Sequence, residues 1–196
     1  SITVFNAANV IANAGPNQEQ CLPNTSAQLA ASGVIFPSVG TWTLIQGSAI
    51  FANANNPNTT VSGLGVGENI LQWSVTNGPC GPTTTDQMTI VVFDNTQGGA
   101  NAGPDVSFCT PVSSFVMQAN QILFPAVGQW SVMAGSGTFS NLNDPNATVS
   151  GLGIGTNTFR WTVLNGPCPG GTNFDDISIF IFSANQPIAS AGPDQE

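Results

Sequence analysis

The sequence predicts an all-β protein built from two tandem antiparallel β-sandwiches arranged as a rod. Two observations lead to this prediction: the sequence repeats itself, and apolar residues alternate with polar ones within each repeat. The 196-residue chain also contains 22 glycines and 14 prolines, which favour turns and interrupt helices. An apolar fraction of 41% is sufficient for a hydrophobic core in each unit.

The internal repeat has an offset of 88 residues. The segment 12–16, Ala-Asn-Ala-Gly-Pro, recurs at 100–104. The same offset relates four further pairs of residues: Cys21 and Cys109, Trp42 and Trp130, Trp73 and Trp161, and Cys80 and Cys168. A period of this length matches the usual size of a small domain. We therefore expect one domain at 12–99 and a second at 100–188.

Both ends of the chain contain pieces of further repeats. Residues 2–5, Ile-Thr-Val-Phe, match the segments that end at Phe93 and Phe182. We therefore interpret residues 1–11 as the last strand of a preceding repeat plus a linker. Residues 189–196 match the start of a following repeat. These matches predict that the chain comes from a longer array.

Four stretches in each repeat place apolar residues at alternate positions, which is the pattern of a strand with one buried face. In the first repeat these residues are Ala27, Leu29, Ala31, Trp42, Leu44, Leu71, Trp73, Val75, Met88, Ile90 and Val92. Their counterparts in the second are Phe115, Met117, Ala119, Trp130, Val132, Phe159, Trp161, Val163, Ile177, Ile179 and Ile181. Short strands separated by Gly, Pro and Asn clusters are typical of a β-sandwich. We expect Leu64, within the glycine-rich turn 63–67, to close one end of the core.

Charged side chains are scarce and almost all acidic. The chain has one Lys or Arg, ten acidic residues and no His, which gives a formal net charge of -9. It therefore lacks an imidazole base, a lysine nucleophile and a His-ligated zinc site. The single Arg160 cannot supply the phosphate contacts that nucleic-acid binding requires. No apolar run approaches the roughly 18 residues of a membrane span. We expect no enzymatic activity, cofactor, metal or nucleic-acid partner, and no membrane span in this segment.

Both repeats carry the same motifs in the same order: Ala-Gly-Pro followed by Asn or Asp, a cysteine, Gly-x-Trp, Gly-Leu-Gly-x-Gly-x-Asn, and Trp-x-Val-x-Asn-Gly-Pro-Cys. In these motifs the chain resembles the immunoglobulin-like and PKD-like repeats of giant surface proteins in gliding Bacteroidota, in particular the SprB-type gliding adhesins. The resemblance covers both repeats. It implies an immunoglobulin-like fold, export by the type IX secretion system and display on the outer cell surface.

The four cysteines occupy matching positions, two in each repeat. An even number repeated in each domain of a chain without His is typical of disulfides, which form in an oxidising compartment. We expect one bridge in each repeat, Cys21–Cys80 and Cys109–Cys168. The alternatives are four buried free thiols, or a zinc site formed by all four cysteines, although the Cys-x-x-Cys spacing of zinc knuckles is missing.

Three phenylalanines occupy equivalent positions at the end of the last strand, out of phase with the core residues: Phe5, Phe93 and Phe182. Our hypothesis is that each packs against the neighbouring repeat and limits bending at the joint. The alternative is a partly exposed residue at the edge of the sheet.

Three aspartates, Asp94, Asp105 and Asp194, lie near the joints between repeats. Carboxylates at such joints bind calcium in some extracellular sandwich domains. We favour a solvated acidic linker instead, because the first repeat has Asn17 where the second has Asp105. A calcium site used at every joint would be expected to keep its charges.

Two other sets of residues also have a chemical interpretation. Asp175 and Asp176 are a possible acid–base pair, but adjacent residues of a strand point to opposite faces. The four tryptophans are possible stacking platforms for sugars, but they alternate in phase with the apolar residues and are expected in the core. These residues are Trp42, Trp73, Trp130 and Trp161.

The function that the sequence favours is structural: a repeat segment of a long extracellular filament or cell-surface adhesin, which attaches to surfaces and contributes to gliding motility. Its expected partners are neighbouring repeats of the same polypeptide, with lateral self-association and a surface or polysaccharide ligand as further options. A carbohydrate-binding module array and the accessory repeats of a secreted enzyme are the alternatives.

Overall fold

The computed structural model describes residues 2–4, 11–94, 96 and 98–185. Within these residues the regular structure is strand, apart from one 3-10 helix at Gly78–Cys80. None of the described residues forms a helix long and apolar enough to cross a membrane. The chain divides into two compact units. The first comprises Ser1–Gln97, Leu123–Ala126 and Leu164–Thr172, and the second comprises Gly98–Ile122, Val127–Val163 and Asn173–Glu196.

The described part of the chain forms fourteen strands in two sets of seven, in the same order in each repeat. The first set is β1 (Gln18–Cys21), β2 (Ala27–Gln28), β3 (Val39–Gln46), β4 (Ile50–Phe51), β5 (Thr60–Ser62), β6 (Gly67–Thr76) and β7 (Thr84–Phe93). The second set is β8 (Val106–Cys109), β9 (Ser114–Val116), β10 (Val127–Ala134), β11 (Thr138–Phe139), β12 (Thr148–Ser150), β13 (Gly155–Leu164) and β14 (Thr172–Phe182).

Each set forms a four-stranded and a three-stranded sheet. The orders in the first set are β1-β7-β6-β3 and β2-β5-β4. The second set repeats them as β8-β14-β13-β10 and β9-β12-β11. Buried residues of both sheets form one core cluster in each set. The predicted all-β sandwich fold is therefore confirmed.

The first strand of each four-stranded sheet differs from the predicted antiparallel arrangement. β1 runs parallel to β7, with Cys21 opposite Phe93, and β8 runs parallel to β14, with Cys109 opposite Phe182. A parallel neighbour requires a long connection. The other strands of the repeat provide this connection, because they separate the first strand from the last in the chain. This pairing places the first cysteine of each repeat beside the last phenylalanine.

The core consists of the predicted alternating residues. Trp42, Trp73, Trp130 and Trp161 are at most 2% exposed, which confirms their assignment to the core. In each set the two tryptophan rings contact each other, with centroids 5.2 Å and 5.0 Å apart. Leu64 and its counterpart Leu152 are also buried. The predicted burial of Leu44 and Val132 is wrong: both are exposed. They lie on β3 and β10, the edge strands of the four-stranded sheets, where a neighbouring strand covers only one side.

The Gly-x-Trp motif has a packing reason. A Cβ atom at Gly40 would lie 2.1 Å from Cζ2 of Trp73, and one at Gly128 would lie 2.1 Å from Cζ2 of Trp161. Non-bonded carbon atoms do not approach so closely, so the indole rings fill the space that a side chain at either glycine would need. Each glycine is therefore required by the tryptophan of the neighbouring strand.

Candidate functional site

Cys21 and Cys168 form a disulfide, with their Cα atoms 5.0 Å apart and a sequence separation of 147. This bond corrects the expected pairing, since neither Cys21–Cys80 nor Cys109–Cys168 is compatible with it. It also excludes a zinc site made of all four cysteines. The expected pairing failed because the offset of 88 residues shows which cysteines are equivalent and does not show which are adjacent in space. Cys80 and Cys109 are both exposed.

The bond lies within the first compact unit. Residues Leu164–Thr172 follow the second tryptophan motif in sequence, yet they belong to this unit; we call them the cysteine loop. The loop is closed by backbone hydrogen bonds: Asn165 N to Gly171 O at 2.5 Å, Gly171 N to Cys168 O at 2.7 Å, and Cys168 N to Asn165 O at 3.3 Å. The disulfide therefore joins a cysteine of the first sequence repeat to a cysteine of the second.

Phe93 lies against the cysteine loop. Its ring is close enough to Gly166 that a Cβ atom there would lie 2.5 Å from Cε2 of the ring. Phe93 is 8% exposed, whereas its counterpart Phe182 is 47% exposed. Beside this ring, Nδ2 of Asn165 donates a hydrogen bond of 2.7 Å to the backbone oxygen of Asp94. Phe5 lies outside the described residues, so the hypothesis that all three phenylalanines pack between repeats stays a prediction.

A second segment of the same unit carries Phe124. A Cβ atom at Gly67 would lie 3.6 Å from Cε1 of Phe124, while one at the equivalent Gly155 would have no neighbour within 4 Å. The peptide bond Phe124–Pro125 is cis, as is Phe36–Pro37 in the first repeat. Phe36, the counterpart of Phe124, is 86% exposed. Phe124 thus lies at the glycine-rich turn before β6.

Asp94 and Asp105, two of the three aspartates considered for calcium, accept hydrogen bonds from other groups of the chain. Oδ1 of Asp94 accepts hydrogen bonds from N and Oγ1 of Thr96 at 2.8 Å and 2.7 Å. These hydrogen bonds stabilise the carboxylate and lower the pKa of Asp94 below its ordinary value. Oδ1 of Asp105 accepts from Ser178 N at 2.8 Å. Asp194 lies outside the described residues, among which no group of three or more His, Cys, Asp or Glu could hold a metal ion.

Asn17 and Asp105 occupy equivalent positions in the two repeats and accept equivalent hydrogen bonds. Oδ1 of Asn17 accepts a hydrogen bond of 2.9 Å from Thr89 N, as Oδ1 of Asp105 does from Ser178 N. An amide and a carboxylate both present an acceptor oxygen. The exchange of Asn for Asp between the repeats therefore follows from backbone binding and needs no metal.

Asp175 and Asp176 have separate partners. Oδ2 of Asp175 accepts from Ala102 N at 2.8 Å, which repeats the bond from Ala14 N to Oδ2 of Asp86. Oδ1 and Oδ2 of Asp176 accept from Nε and Nη2 of Arg160 at 2.7 Å and 2.9 Å. Each carboxylate is therefore engaged in holding the fold, and the pair is not arranged around one substrate.

Asn69 and Asn157 are structural residues that the sequence analysis missed. Asn69 is 1% exposed, and its Oδ1 accepts from Ser48 N at 2.9 Å and Gly65 N at 3.2 Å. Its Nδ2 donates to the backbone oxygens of Gly65 and Ile90 at 2.8 Å and 3.2 Å. Asn157 makes the matching bonds in the second repeat. The signal was the last residue of the Gly-Leu-Gly-x-Gly-x-Asn motif, whose glycines bring backbone groups to the amide.

The comparisons with known proteins bear on the fold. No family model matches the chain. Over 179 residues the sequence is 30% identical to the Dyslexia-associated protein KIAA0319-like protein of Mus musculus, an alignment that covers 83% of this chain. The chain spans only 17% of the length of that relative.

Two solved structures are similar as well. The PKD domain from KIAA 1837 protein has 25% sequence identity and a TM-score of 0.39, and the match covers 47% of this chain and 94% of that one. The immunoglobulin domains 1–5 of Sidekick-1 have 13% identity and a TM-score of 0.48, covering 88% of this chain and 38% of that one. The sheet order and the core between the two sheets assign the chain an immunoglobulin-like β-sandwich fold.

Proposed function

We propose that the chain is a structural repeat segment of a long extracellular filament or cell-surface adhesin, with repeats at 12–99 and 100–188 arranged as a rod. The observation that carries this proposal is the disulfide between Cys21 and Cys168. Disulfides persist in oxidising compartments outside the cytosol. This one joins two consecutive repeats, which suits a protein that transmits tension along its length.

The mechanical consequence of the bond follows from its position. Tension applied at the two ends of the chain passes from Cys21 to Cys168 through the sulfur atoms, so the residues between them bear no load. The stretch between the two cysteines, whose sequence separation is 147, would extend to about 500 Å if released, at roughly 3.4 Å per residue. The disulfide therefore limits how far the segment lengthens under load.

Single-molecule stretching of the chain by its terminal residues tests this role. Without reductant, we expect the extension to fall short of full length by about 500 Å. Reductant, or the Cys168→Ser variant, should restore the missing length. The Cys109→Ser variant is the matched control and should behave as the unaltered chain. Full extension without reductant would overturn the load-bearing role.

The more specific proposal, that the chain belongs to a gliding adhesin, rests on the sequence motifs. The resemblance to the SprB-type gliding adhesins supports export by the type IX secretion system, display on the cell surface and a part in gliding motility. Antiserum raised against the chain should label extended surface structures on intact, unpermeabilised cells that produce it. Because few charges are present, attachment should change little with ionic strength. Labelling only after permeabilisation would contradict the surface location.

Phe93 and Phe182 also have a part in the proposed filament. The contact of Phe93 with Gly166 supports the idea that this phenylalanine stiffens the joint between repeats, and Phe182 would do the same where another repeat follows. Phe93→Ala should loosen the joint and change the radius of gyration measured by solution scattering, while the circular dichroism spectrum stays unchanged. An unaltered scattering profile would count against this role.

The alternatives have less support. A carbohydrate-binding array would use aromatic platforms, but the four tryptophans are at most 2% exposed. Accessory repeats of a secreted enzyme would share this fold and differ in the rest of the polypeptide. Binding of the chain to a panel of polysaccharides at millimolar sugar concentration would favour the first alternative, and an enzymatic domain in the same reading frame would favour the second.

A further inference from the structure

The loop between β11 and β12 contains the peptide bond that joins Asp144 to Pro145. An Asp–Pro bond is unusually sensitive to acid, because the aspartate carboxylate is a nucleophile beside its own carbonyl carbon and the proline nitrogen leaves readily. Asp144 is exposed, so water reaches this bond. The corresponding bond of the first repeat joins Asn56 to Pro57 and lacks the carboxylate.

The backbone oxygen of Asp144 is held by two hydrogen-bond donors. Nε1 of Trp130 and N of Ala147 each donate to it over 3.0 Å. Both donors are anchored in the core, since Trp130 and Ala147 are each 1% exposed. Two fixed donors on one carbonyl oxygen are the arrangement that stabilises the negative charge of a tetrahedral intermediate.

The first repeat differs at both of these features. The backbone oxygen of Asn56 accepts a hydrogen bond of 3.2 Å from Thr59 N. Nε1 of Trp42, the counterpart of Trp130, is buried and has no hydrogen-bond partner within the described residues. The carboxylate and the tryptophan donor therefore occur together at the Asp144 bond and are both missing from the equivalent bond of the first repeat.

The side chain of Asp144 is oriented as well. Its Oδ1 accepts a hydrogen bond of 2.8 Å from Asn146 N, as Oδ1 of Asn56 does from Asn58 N at 3.0 Å. This bond holds the carboxylate beside the peptide bond to Pro145 and leaves Oδ2 as the attacking oxygen. The first repeat presents an amide in the same place, which is a much weaker nucleophile than a carboxylate.

We propose that the chain cleaves its own backbone between Asp144 and Pro145. Oδ2 of Asp144 attacks the carbonyl carbon of the same residue and closes a five-membered ring, while the carbonyl oxygen takes the negative charge between its two donors. The carbon–nitrogen bond then breaks, and the proline nitrogen keeps the electron pair and takes a proton from the solvent. The remaining cyclic anhydride adds one water molecule and opens to a C-terminal aspartate. In total, one peptide bond and one water become a carboxyl group and a secondary amine.

The cut leaves the molecule in one piece. The cleaved bond lies between Cys21 and Cys168 in the sequence, so their disulfide joins the two fragments. The stretch between these cysteines bears no load in the proposed filament, and the cleaved segment therefore still transmits tension until the disulfide is reduced. This consequence rests on the proposed function, whereas the cleavage itself does not. The reaction occurs once in each molecule and acts on no separate substrate.

Incubation of the purified 196-residue chain at mildly acidic pH, with protease inhibitors present, tests the proposal. On a reducing gel we expect two fragments, 1–144 and 145–196, whose masses add up to that of the chain plus one water. On a non-reducing gel the same sample should run as one species, because the disulfide joins the fragments. N-terminal sequencing of the smaller fragment should begin Pro-Asn-Ala. A chain that stays intact on the reducing gel would overturn the proposal.

Two variants test the attacking group. Asp144→Asn copies the first repeat, and Asp144→Glu keeps the charge but places the carboxylate one carbon too far to close the five-membered ring. Both should remain uncut over the time in which the unaltered chain is cleaved. Cleavage of either variant at the original rate would show that the Asp144 carboxylate is not the nucleophile.

The two donors are tested separately, because Asp–Pro bonds also break slowly in unfolded chains. Unfolding in urea at the same pH removes both donors and should slow cleavage by about 100-fold or more. Trp130→Phe removes one donor and should slow it by about 100-fold, while Trp42→Phe is the matched control and should leave the rate unchanged. Circular dichroism checks that both variants fold, and the urea comparison decides if Trp130→Phe does not. Equal rates in urea and in native buffer would mean ordinary acid hydrolysis and overturn the proposal. An uncut chain that labels the cell surface would overturn this inference and leave the proposed function intact.

Discussion

Cys21 forms a disulfide with Cys168 and also stands opposite Phe93 on the neighbouring strand. The ring of Phe93 lies against Gly166, in the cysteine loop that carries Cys168. Covalent and apolar contacts therefore coincide at one place in the first unit. Both involve the cysteine loop, which the sequence repeat assigns to the second repeat and the contacts assign to the first unit.

The first prediction concerns the stability that this bond provides. Cys168→Ser removes a cross-link that closes a loop of 147 residues, so the unfolded chain gains conformational freedom. On the chain-entropy estimate, the free energy of unfolding of the first unit should fall by up to about 5 kcal/mol. Urea unfolding followed by tryptophan fluorescence measures the change.

The control for this prediction is Cys109→Ser. Cys109 is exposed and lies outside the bond, so its replacement should leave the unfolding curve within about 0.5 kcal/mol of the original. Equal destabilisation by the two variants would show that the effect comes from the loss of a cysteine side chain and not from the cross-link.

The second prediction concerns the glycine next to the core tryptophan. Gly40→Ala places a methyl group where Cζ2 of Trp73 lies, 2.1 Å from the new carbon, so the indole ring or the strand must move. We expect a loss of about 1 to 3 kcal/mol in unfolding free energy, together with a change in tryptophan fluorescence. Gly33→Ala is the control, since a Cβ atom there has no neighbour within 4 Å. A neutral Gly40→Ala variant would contradict the packing argument.

The third prediction concerns the buried amide of Asn69. Asn69→Ala leaves the backbone groups of Ser48, Gly65 and Ile90 without the partners they have in the fold. Because buried polar groups without partners are costly, the variant should lose about 3 kcal/mol of unfolding free energy. Thermal unfolding followed by circular dichroism measures this loss of unfolding free energy.

The matched control exchanges amide for carboxylate at two sites. Asn17→Asp should be tolerated, because the acceptor Oδ1 that binds Thr89 N is kept and the second repeat has Asp105 at this position. Asn69→Asp should be as harmful as Asn69→Ala, because the buried site also uses the two donor hydrogens of Nδ2. Equal tolerance at both sites would contradict the assignment of Asn69 as a hydrogen-bond centre.

The sequence predicts the strands and the core well, because alternation of apolar residues reflects burial at each position directly. It predicts Trp42 and Trp73 as core residues for this reason. The disulfide pairing is different, since it depends on which loops meet in space, and the repeat offset carries no such information. The role of Asn69 was missed because a polar residue within a glycine-rich turn resembles any surface loop until its backbone partners are known.

The fourth prediction arises from a difference between the repeats. Oγ of Ser38 donates a hydrogen bond of 2.7 Å to Oδ1 of Asn77. The equivalents of these residues are Ala126 and Asn165, and within the described residues Oδ1 of Asn165 is buried without a hydrogen-bond partner. Ala126→Ser supplies the missing hydroxyl and should raise the unfolding free energy of the first unit by about 1 kcal/mol.

Ser38→Ala is the converse variant and should lower the unfolding free energy by a similar amount, about 1 kcal/mol. Both are measured by urea unfolding in the presence of the intact disulfide. Destabilisation by Ala126→Ser would show that the site has no room for the added oxygen, and the account of Asn165 as an unsatisfied acceptor would then be wrong.

The last prediction concerns the ion pair of Arg160 and Asp176, which are joined by two hydrogen bonds. The hydrogen bonds and positive charge of Arg160 lower the pKa of Asp176 below its ordinary value. Arg160→Gln should raise this pKa towards the ordinary value, as followed by the carboxyl carbon chemical shift during an NMR titration. Phe174→Leu is the control, because it removes the ring that lies 3.5 Å from Cζ of Arg160 and keeps the charge.

A lowered pKa in the folded state also fixes the sign of the pH dependence. The pair stabilises the second unit above the pKa that Asp176 has in the unfolded chain, and this contribution is lost as the pH falls through the lower, folded-state pKa. The difference in unfolding free energy between the unaltered chain and Arg160→Gln should therefore be present at neutral pH and shrink below about pH 4. A difference that grows on acidification would mean that Arg160 stabilises the unit through its stem packing and not through the carboxylate of Asp176.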